Sequence, residues 1–332
     1  AAVLLGFIGL TVAASLDYRV LQRGVWVIYG GAVLLLALVL SPVGTVVKGA
    51  QRWIFGIQPS EFAKLALVLA LAWFAARFTH RLRTFSTGIL GMGAVALPLL
   101  VLIVVEPDKG TTLLLACVTV SLMLVAGVRW THVLVPIAAG AVAFGLLIAN
   151  SGYARNRVLA FADRTHNPDL NFQVNKSIDA FAVGGVHGTG LGTGTLKWGI
   201  PEVSTDFVFP AVGEELGLPF TLAVVGVFVV ILGCGALIAH RAPDIFGMLI
   251  ATGITFTLAG QALVNMGVVT DLLPNKGMAL PFLSRGGTGT VVLLTLVGLL
   301  ISVARQADRA PEPVIGRAGS NPFGEADTDF PQ

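Results

Sequence analysis

Apolar residues in this chain gather in long blocks. Nine stretches are almost free of charge: residues 1–16, 24–41, 60–78, 86–105, 110–127, 131–149, 208–240, 245–266 and 288–304. Most have the length, about 20 residues, that carries a helix across a bilayer. The alternating ten-residue segments of a membrane β-barrel do not occur. The pattern predicts an all-α fold, a polytopic membrane helical bundle with nine spans. The first block is short for a full span and opens at Ala1 inside an apolar run, so an earlier helix is expected to be missing. The seventh is long enough that it should tilt or begin above the membrane. The polar breaks are short, except residues 150–205. A break that long in a compact bundle is usually functional or disordered. This one carries Phe, Val and Ile and a glycine ladder, GGVHGTGLGTG (Gly184 to Gly194), and is expected to be structured.

Composition supports the same picture. Of 332 residues, 55% are hydrophobic and 12% charged, at a mean hydropathy of +0.85. A soluble chain of this length needs more polar surface to cover its core. The net charge of +3 does not mark a nucleic-acid binder. Cys117 and Cys234 lie inside apolar blocks without a CxxC partner and read as small buried hydrophobes. The five histidines are scattered, and no dedicated zinc site is expected. Arg19, Arg23, Arg77, Arg81, Arg83, Arg129, Arg241, Arg305 and Arg309 fall on one side of the spans, and Lys48, Arg52, Lys109, Lys276 and Arg285 on the other. The arginine-rich side is cytoplasmic by the positive-inside rule, which puts the long loop outside. Residues 1–308 are read as the membrane domain, with the long loop over about 150–206. Residues 309–332, polar and without period, are expected to form a disordered cytoplasmic tail.

The charge that remains collects at the outer ends of the blocks. PEVSTDFVFPAVGEELGLPF (Pro201 to Phe220) holds Glu202, Asp206, Glu214 and Glu215. KGAQRWIFGIQPSEFAKL (Lys48 to Leu65) places Pro59 at a helix start, Glu61 in the first turn and Lys64 three residues on, spaced to pair on one face. EPDKGTTLLL (Glu106 to Leu115) repeats that shape around Asp108. GVVTDLLPNKGMALPFLSRGG (Gly267 to Gly287) sets Pro274, Pro281 and several glycines between two spans. Broken backbone at membrane depth is tolerated where it lines protein or a wet cavity, which Lys276 and Arg285 would then face. Each stretch alone is explained by a capped helix end. Their convergence on one side points to function, because ionisable groups at the membrane edge are costly unless paired or used. The glycine ladder lacks the GK[ST] ending of a P-loop, which argues against nucleotide binding.

At these residues the chain resembles the SEDS family (shape, elongation, division and sporulation), the FtsW/RodA/SpoVE peptidoglycan polymerases. The likeness runs from about Gly6 to Arg305. It is carried by GAQRWI, QPSEFAKL, PDKGT, Gln173 and Ser177 ahead of GGVHGTGLG, PEVSTDFVF…GEELG, and LPNKGMALPFLSRGG. Asp206, Glu61, Lys64 and Asp108 match the family pattern. Ser204 stands at its usual histidine, Glu106 at its usual glutamine, and SRGGTG with Arg285 at its usual SYGGSS. The triplet around Lys276 is nearer the division-type FtsW branch. The resemblance implies a ten-helix fold with both termini cytoplasmic and processive glycosyl transfer from lipid II on the outer face, in division or elongation. It also implies a class B penicillin-binding protein, the transpeptidase, as partner, among other divisome or elongasome membrane proteins.

The reaction so implied suggests roles. A sugar hydroxyl of one lipid II attacks the anomeric carbon of a chain carried on undecaprenyl pyrophosphate, and a single inverting displacement turns the α-linked donor into a β-1,4 glycan. Glycosidases need two carboxylates because their leaving alcohol must be protonated. Pyrophosphate leaves without that help, so one base plus cations should do. Asp206 is the candidate catalytic base. Arg52, Lys64 and Lys276 are candidates for the pyrophosphate, and Glu61 and Asp108 for orienting those cations or holding a divalent ion, Mg or Mn. Ser284 completes the candidate substrate-binding set. No obligatory cofactor is expected. Glu214 and Glu215 are expected to shape the helix start. Two rivals stand beside this reading: a lipid II flippase or transporter, which predicts charge near the midplane, and a catalytically silent scaffold for the transpeptidase.

Overall fold

The computed structural model describes residues 2–47, 50–162, 168–195, 199 and 203–309. Every apolar block is helical: α1 (Ala2–Ser15), α2 (Leu21–Val39), α3 (Pro59–Arg77), α4 (Met92–Val105), α5 (Lys109–Val125), α6 (Trp130–Ala149), α9 (Val208–Arg241), α10 (Ile245–Val269) and α11 (Thr288–Arg309). A π-helical turn, Ser86–Gly91, leads into α4. The long break supplies two more helices, α7 (Gly152–Ala162) and α8 (Pro168–Gly184), so it is structured as its composition predicts. Among the described residues, seven helical stretches are long and apolar enough to cross a membrane, and α1 and α5 are apolar but shorter. Lys48, Asp163, Glu202 and the tail beyond Arg309 lie outside the described residues.

α3 and α10 form the centre. Their apolar faces share one core with residues of α2, α4, α5 and α11, including Leu67, Leu71, Ile250, Ile254, Leu99 and Leu296. Most of α3 and α10 is buried, and almost none of α6 or α9. Lipid tails are as apolar as leucine, so helices associate there through close packing, which favours small residues. A Cβ on Gly6 would lie 2.5 Å from Leu294 Cδ1, one on Gly9 2.5 Å from Thr295 Oγ1, and one on Gly253 2.6 Å from Val68 Cγ1. These glycines let α1 lie flush on α11 and α10 on α3. The valines and leucines on the outer faces of α6 and α9 are exposed in the bundle because lipid, not protein, covers them. The same fact corrects the reading of the cysteines: Cys117 and Cys234 are free and exposed, not buried.

α9 is interrupted. Gly217 sits at φ 76° and ψ −171°, and Pro219 follows it. The long block is therefore two helical pieces, a short one that carries Glu214 and Glu215 and a longer apolar one. The glycine ladder docks on this break. Thr189 N and Gly190 N donate to Glu214 O and Glu215 O, and Leu218 N donates to Gly185 O. A Cβ on Gly217 would lie 2.5 Å from Gly188 N, so side chains at the crossing are excluded. One element has no counterpart in the apolar pattern. β1 (Thr45–Val47) and β2 (Ala50–Trp53) pair antiparallel between α2 and α3, with Val46 opposite Gln51 and a bulge beside it.

Candidate active site

The polar groups converge on the end of the bundle where α3, α5, α9 and α11 begin and α4 and α10 end. At the start of α3, Pro59 opens the helix and Glu61 and Lys64 fall on one face. Lys64 Nζ donates to Glu61 Oε1 at 2.7 Å, and the two residues are 2% and 9% exposed. Lys64 Nζ also donates to Gln261 Oε1 of α10 (2.8 Å), and Gln261 Nε2 donates to Ala279 O (2.8 Å). A buried charge is tolerated when it is paired and its remaining hydrogen bonds are made. Here the pairing runs from α3 through α10 to the 270–287 connection. Glu61 Oε2 is buried without a partner among the described residues. Gly289 of α11 faces it, and a Cβ there would lie 3.4 Å away.

The turn between α4 and α5 is the second part. Asp108 caps α5, its Oδ1 accepting from Thr111 N (3.2 Å) and its Oδ2 from Thr111 Oγ1 (2.8 Å). Arg52 reaches over from β2, and its Nε and Nη2 donate to Glu106 O (3.0 Å) and Pro107 O (2.6 Å). The Glu106 side chain is fully buried, and neither carboxyl oxygen has a partner among the described residues. Burial pushes this carboxyl up to about 8, with Asp108 adding to the rise and Arg52 opposing it. Lys276 arrives from the 270–287 connection and crosses the first turn of α5, where a Cβ on Gly110 would lie 2.7 Å from Lys276 Cε. Burial lowers the Lys276 ammonium to about 7. Asp108 resists that fall, and Arg52, Lys109 and Arg157 add to it.

Asp206 occupies the turn before α9, and its carboxylate lies directly against Gly277, leaving no room for a Cβ there. Asn265 Nδ2 donates to Asp206 O (2.7 Å), and Arg285 N donates to Ser204 O (2.7 Å). The Asp206 turn is thus fastened to the connection at two points. The positions that depart from the family pattern, Ser204 and Arg285, meet at one of them. Ser284, 8% exposed, closes the connection on itself, its Oγ accepting from Leu280 N (2.7 Å). Glu214 is buried and its Oε1 accepts from Thr195 N (2.6 Å), which places it with the glycine ladder. The helices of the long loop hold the connection from above. Arg157 Nη1 donates to Asn275 O (2.8 Å), Asn275 Nδ2 to Gln173 Oε1 (3.2 Å), and Ser177 Oγ to Val269 O (2.6 Å).

All seven candidates, Arg52, Glu61, Lys64, Asp108, Asp206, Lys276 and Ser284, therefore share one end of the bundle. Sequence reasoning passed over Gln261 and Asn265. Their signal is plain in retrospect: two amides four residues apart in an otherwise apolar span. Glu61 is engaged by Lys64 and Asp108 by Thr111, and among the described residues no three His, Cys, Asp or Glu side chains gather as ligands. The arrangement offers a half-buried carboxylate at Asp206 lying against the backbone of Gly277, at the same end of the bundle as Lys276, Arg52 and Lys64.

Fold and site define a class first, a multi-pass helical membrane protein with a cluster of buried ionisable groups at one end. The family model described as "Cell cycle protein", covering FtsW, RodA and SpoVE, matches residues 1–309, and the chain belongs to that family. It is 38% identical over 318 residues to a probable peptidoglycan glycosyltransferase FtsW of Trichlorobacter lovleyi, a match covering 93% of this chain and 83% of that one. It is 36% identical over 278 residues to stage V sporulation protein E of Bacillus subtilis, covering 82% and 76%. Among solved structures it is similar to a peptidoglycan synthase complex that couples polymerization and crosslinking, at a TM-score of 0.75 and 28% identity, covering 92% of this chain and 88% of that one. Rod shape determining protein RodA of Thermus thermophilus gives 0.66 and 27%, covering 92% and 86%.

Proposed function

We propose that this chain polymerises lipid II into β-1,4 glycan strands at the outer face of the bacterial cytoplasmic membrane, with Asp206 as general base. It is a peptidoglycan glycosyltransferase of division or elongation, as its family and its relatives' activities indicate. The observation that carries the finer reading is the seating of the Asp206 carboxylate on Gly277, one residue from Lys276. The acceptor hydroxyl gives its proton to Asp206 as its oxygen bonds to the anomeric carbon of the donor. The bond from that carbon to the pyrophosphate oxygen breaks on the opposite side, and the pyrophosphate leaves with the electron pair. Charge developing on it is met by the Lys276 ammonium, within the field of Arg52 and of the Glu61–Lys64 pair. Preorganised cations of this kind act without reorganising during the reaction. Ser284 holds the loop in which Lys276 sits.

The orientation follows from the opposite end of the bundle, where Arg19, Arg241 and Arg305 lie, and which the positive-inside rule makes cytoplasmic. The FtsW names among the relatives favour division. The partner in this reading is a class B penicillin-binding protein, supported by the likeness to a synthase complex. No step requires a resident metal. A transporter would carry charge near the midplane, whereas the ionisable groups here sit toward the two ends of the bundle. The test is purified protein with purified lipid II, alone and with the transpeptidase. Glycan strands are expected. Translocation of lipid II in vesicles without any polymer would assign a flippase, and neither activity a scaffold.

A further inference from the structure

We infer that Asn265 is a positioning residue for the proposed base: one buried amide fastens the Asp206 turn to the Lys276–Gly277 loop and so sets where the Asp206 carboxylate stands. The inference rests on the reading of Asp206 given above.

Asn265 is 1% exposed, near the end of α10. Its Nδ2 donates to Asp206 O at 2.7 Å and to Met278 O at 2.6 Å. A side-chain amide has two N–H donors, and here each serves a different chain segment. Both partners are carbonyl oxygens, so the nitrogen end must face them, and Oδ1 is left buried without a donor. An orphaned acceptor in the interior is unfavourable. A residue selected for packing alone would be apolar, as Ala262, Val268 and Val269 around it are. The amide is explained by what its donors hold.

What they hold is a gap. The Asp206 carboxylate and Gly277 are in contact without room for a methyl group. Met278, the next residue, and Asp206 itself are the two carbonyls tied to Asn265, so the contact is bracketed from both sides by one rigid group. Gln261, one helical turn earlier, ties Lys64 to Ala279 O in the same manner. Residues four apart lie on one helix face, so α10 spaces the Glu61–Lys64 pair and the Asp206 turn along the same loop. A displacement of about 1 Å between reacting groups can lower a rate on the order of 100-fold.

The test uses the purified full chain and lipid II, with kcat, KM and thermal melting measured for Asn265→Asp, which keeps the shape and removes the donors, and for Asn265→Ala. Expected are a kcat per folded molecule lower by about 10- to 100-fold, a KM changed by less than about threefold, and a lowered but still cooperative melt, because Asp206 O and Met278 O lose their donor. Because Asn265 acts through Asp206, adding Asn265→Asp to Asp206→Asn should lower the residual single-turnover rate by less than about twofold. An unchanged kcat, or a full multiplicative loss in the double variant, would overturn the inference. Failure of both single variants to fold would overturn it too, by assigning Asn265 to stability. If Asp206→Asn is inactive while the Asn265 variants are active, only this inference fails. If Asp206→Asn is itself active, the base assignment fails first and this inference with it.

Discussion

The arginine-rich end of the bundle and the end that carries Asp206 use similar residues to different effect. At the first, Tyr18 Oη and Arg19 Nε both donate to Asp244 Oδ2 at 2.7 and 2.9 Å, and Asp244 Oδ1 accepts from Gly247 N to cap α10. Ser302 Oγ accepts from Tyr18 N and donates to Leu16 O, and Arg305 Nη1 donates to Ala14 O. These bonds join α1, α10 and α11, and both oxygens of the carboxylate are used. At the second, Glu61 Oε2, both oxygens of Glu106 and Asn265 Oδ1 are buried without partners among the described residues. The arginine-rich end has one such atom, His132 Nδ1, on a ring packed edge-on against Phe85. Each orphaned atom costs about 1–3 kcal/mol. The difference teaches that polarity in this membrane protein has two jobs. Closed clusters lock helices together, while the cluster around Glu61, Glu106 and Asn265 leaves buried polar atoms unmatched among the described residues.

Breaking the central ion pair should have the largest effect on stability. Lys64→Met leaves Glu61 buried and uncompensated, which should cost about 3–5 kcal/mol and abolish turnover. Arg19→Met breaks a pair whose Arg19 side chain is 48% exposed, and should cost no more than about 1 kcal/mol. Thermal melting in detergent compares them. Equal losses would erase the distinction between a buried and an exposed pair.

Next in size is the contact under the proposed base. Gly277→Ala should slow polymerisation by about 10- to 100-fold, because the added methyl displaces the Asp206 carboxylate. Gly287→Ala, where a Cβ meets nothing within 4 Å, should leave the rate near normal. Similar rates for the two variants would mean that the Gly277 contact does not position the carboxylate.

The smallest effect is the one that titrates. Glu106 is raised to about 8, so between its ordinary carboxylate value and about 8 the folded protein holds more protons than the unfolded one. Its contribution to stability therefore falls as pH rises through that window. Lys276 is lowered to about 7, so from there to its ordinary value the folded protein holds fewer protons and its contribution rises with pH. Glu106→Gln should melt progressively higher than the unaltered protein as pH approaches 8, and Lys276→Met should flatten the rise above 7. A melting curve for Glu106→Gln parallel to the parent across the range would show that Glu106 does not carry the buried proton.

Much of this was legible in the residues. A block of apolar residues reports a span whatever surrounds it, and each block is a helix. The pairing of Glu61 with Lys64 and the capping by Asp108 are local, fixed by spacing along one helix, and both are observed. The β1–β2 hairpin was not legible, because strands of three and four residues have no period to detect. Nor was the partner of Arg52, which is backbone of a distant turn. Gln261 and Asn265 were visible as amides, but their meaning depends on which carbonyls the fold brings to α10. The break at Gly217 shows only once the glycine ladder is seen lying on it.

The most direct test of this division compares two aspartates at opposite ends of the bundle, one bonded on both oxygens and one proposed as the base. Asp206→Asn and Asp244→Asn both keep size and polarity. Asp206→Asn should reduce glycan formation from lipid II by about 10²–10⁴ while melting stays close to that of the parent. Asp244→Asn should lower melting but leave the rate per folded molecule near normal, since Asp244 is bonded to Tyr18 and Arg19 far from the site. Near-normal polymerisation by Asp206→Asn, or a rate loss in Asp244→Asn as large as that in Asp206→Asn, would contradict the account.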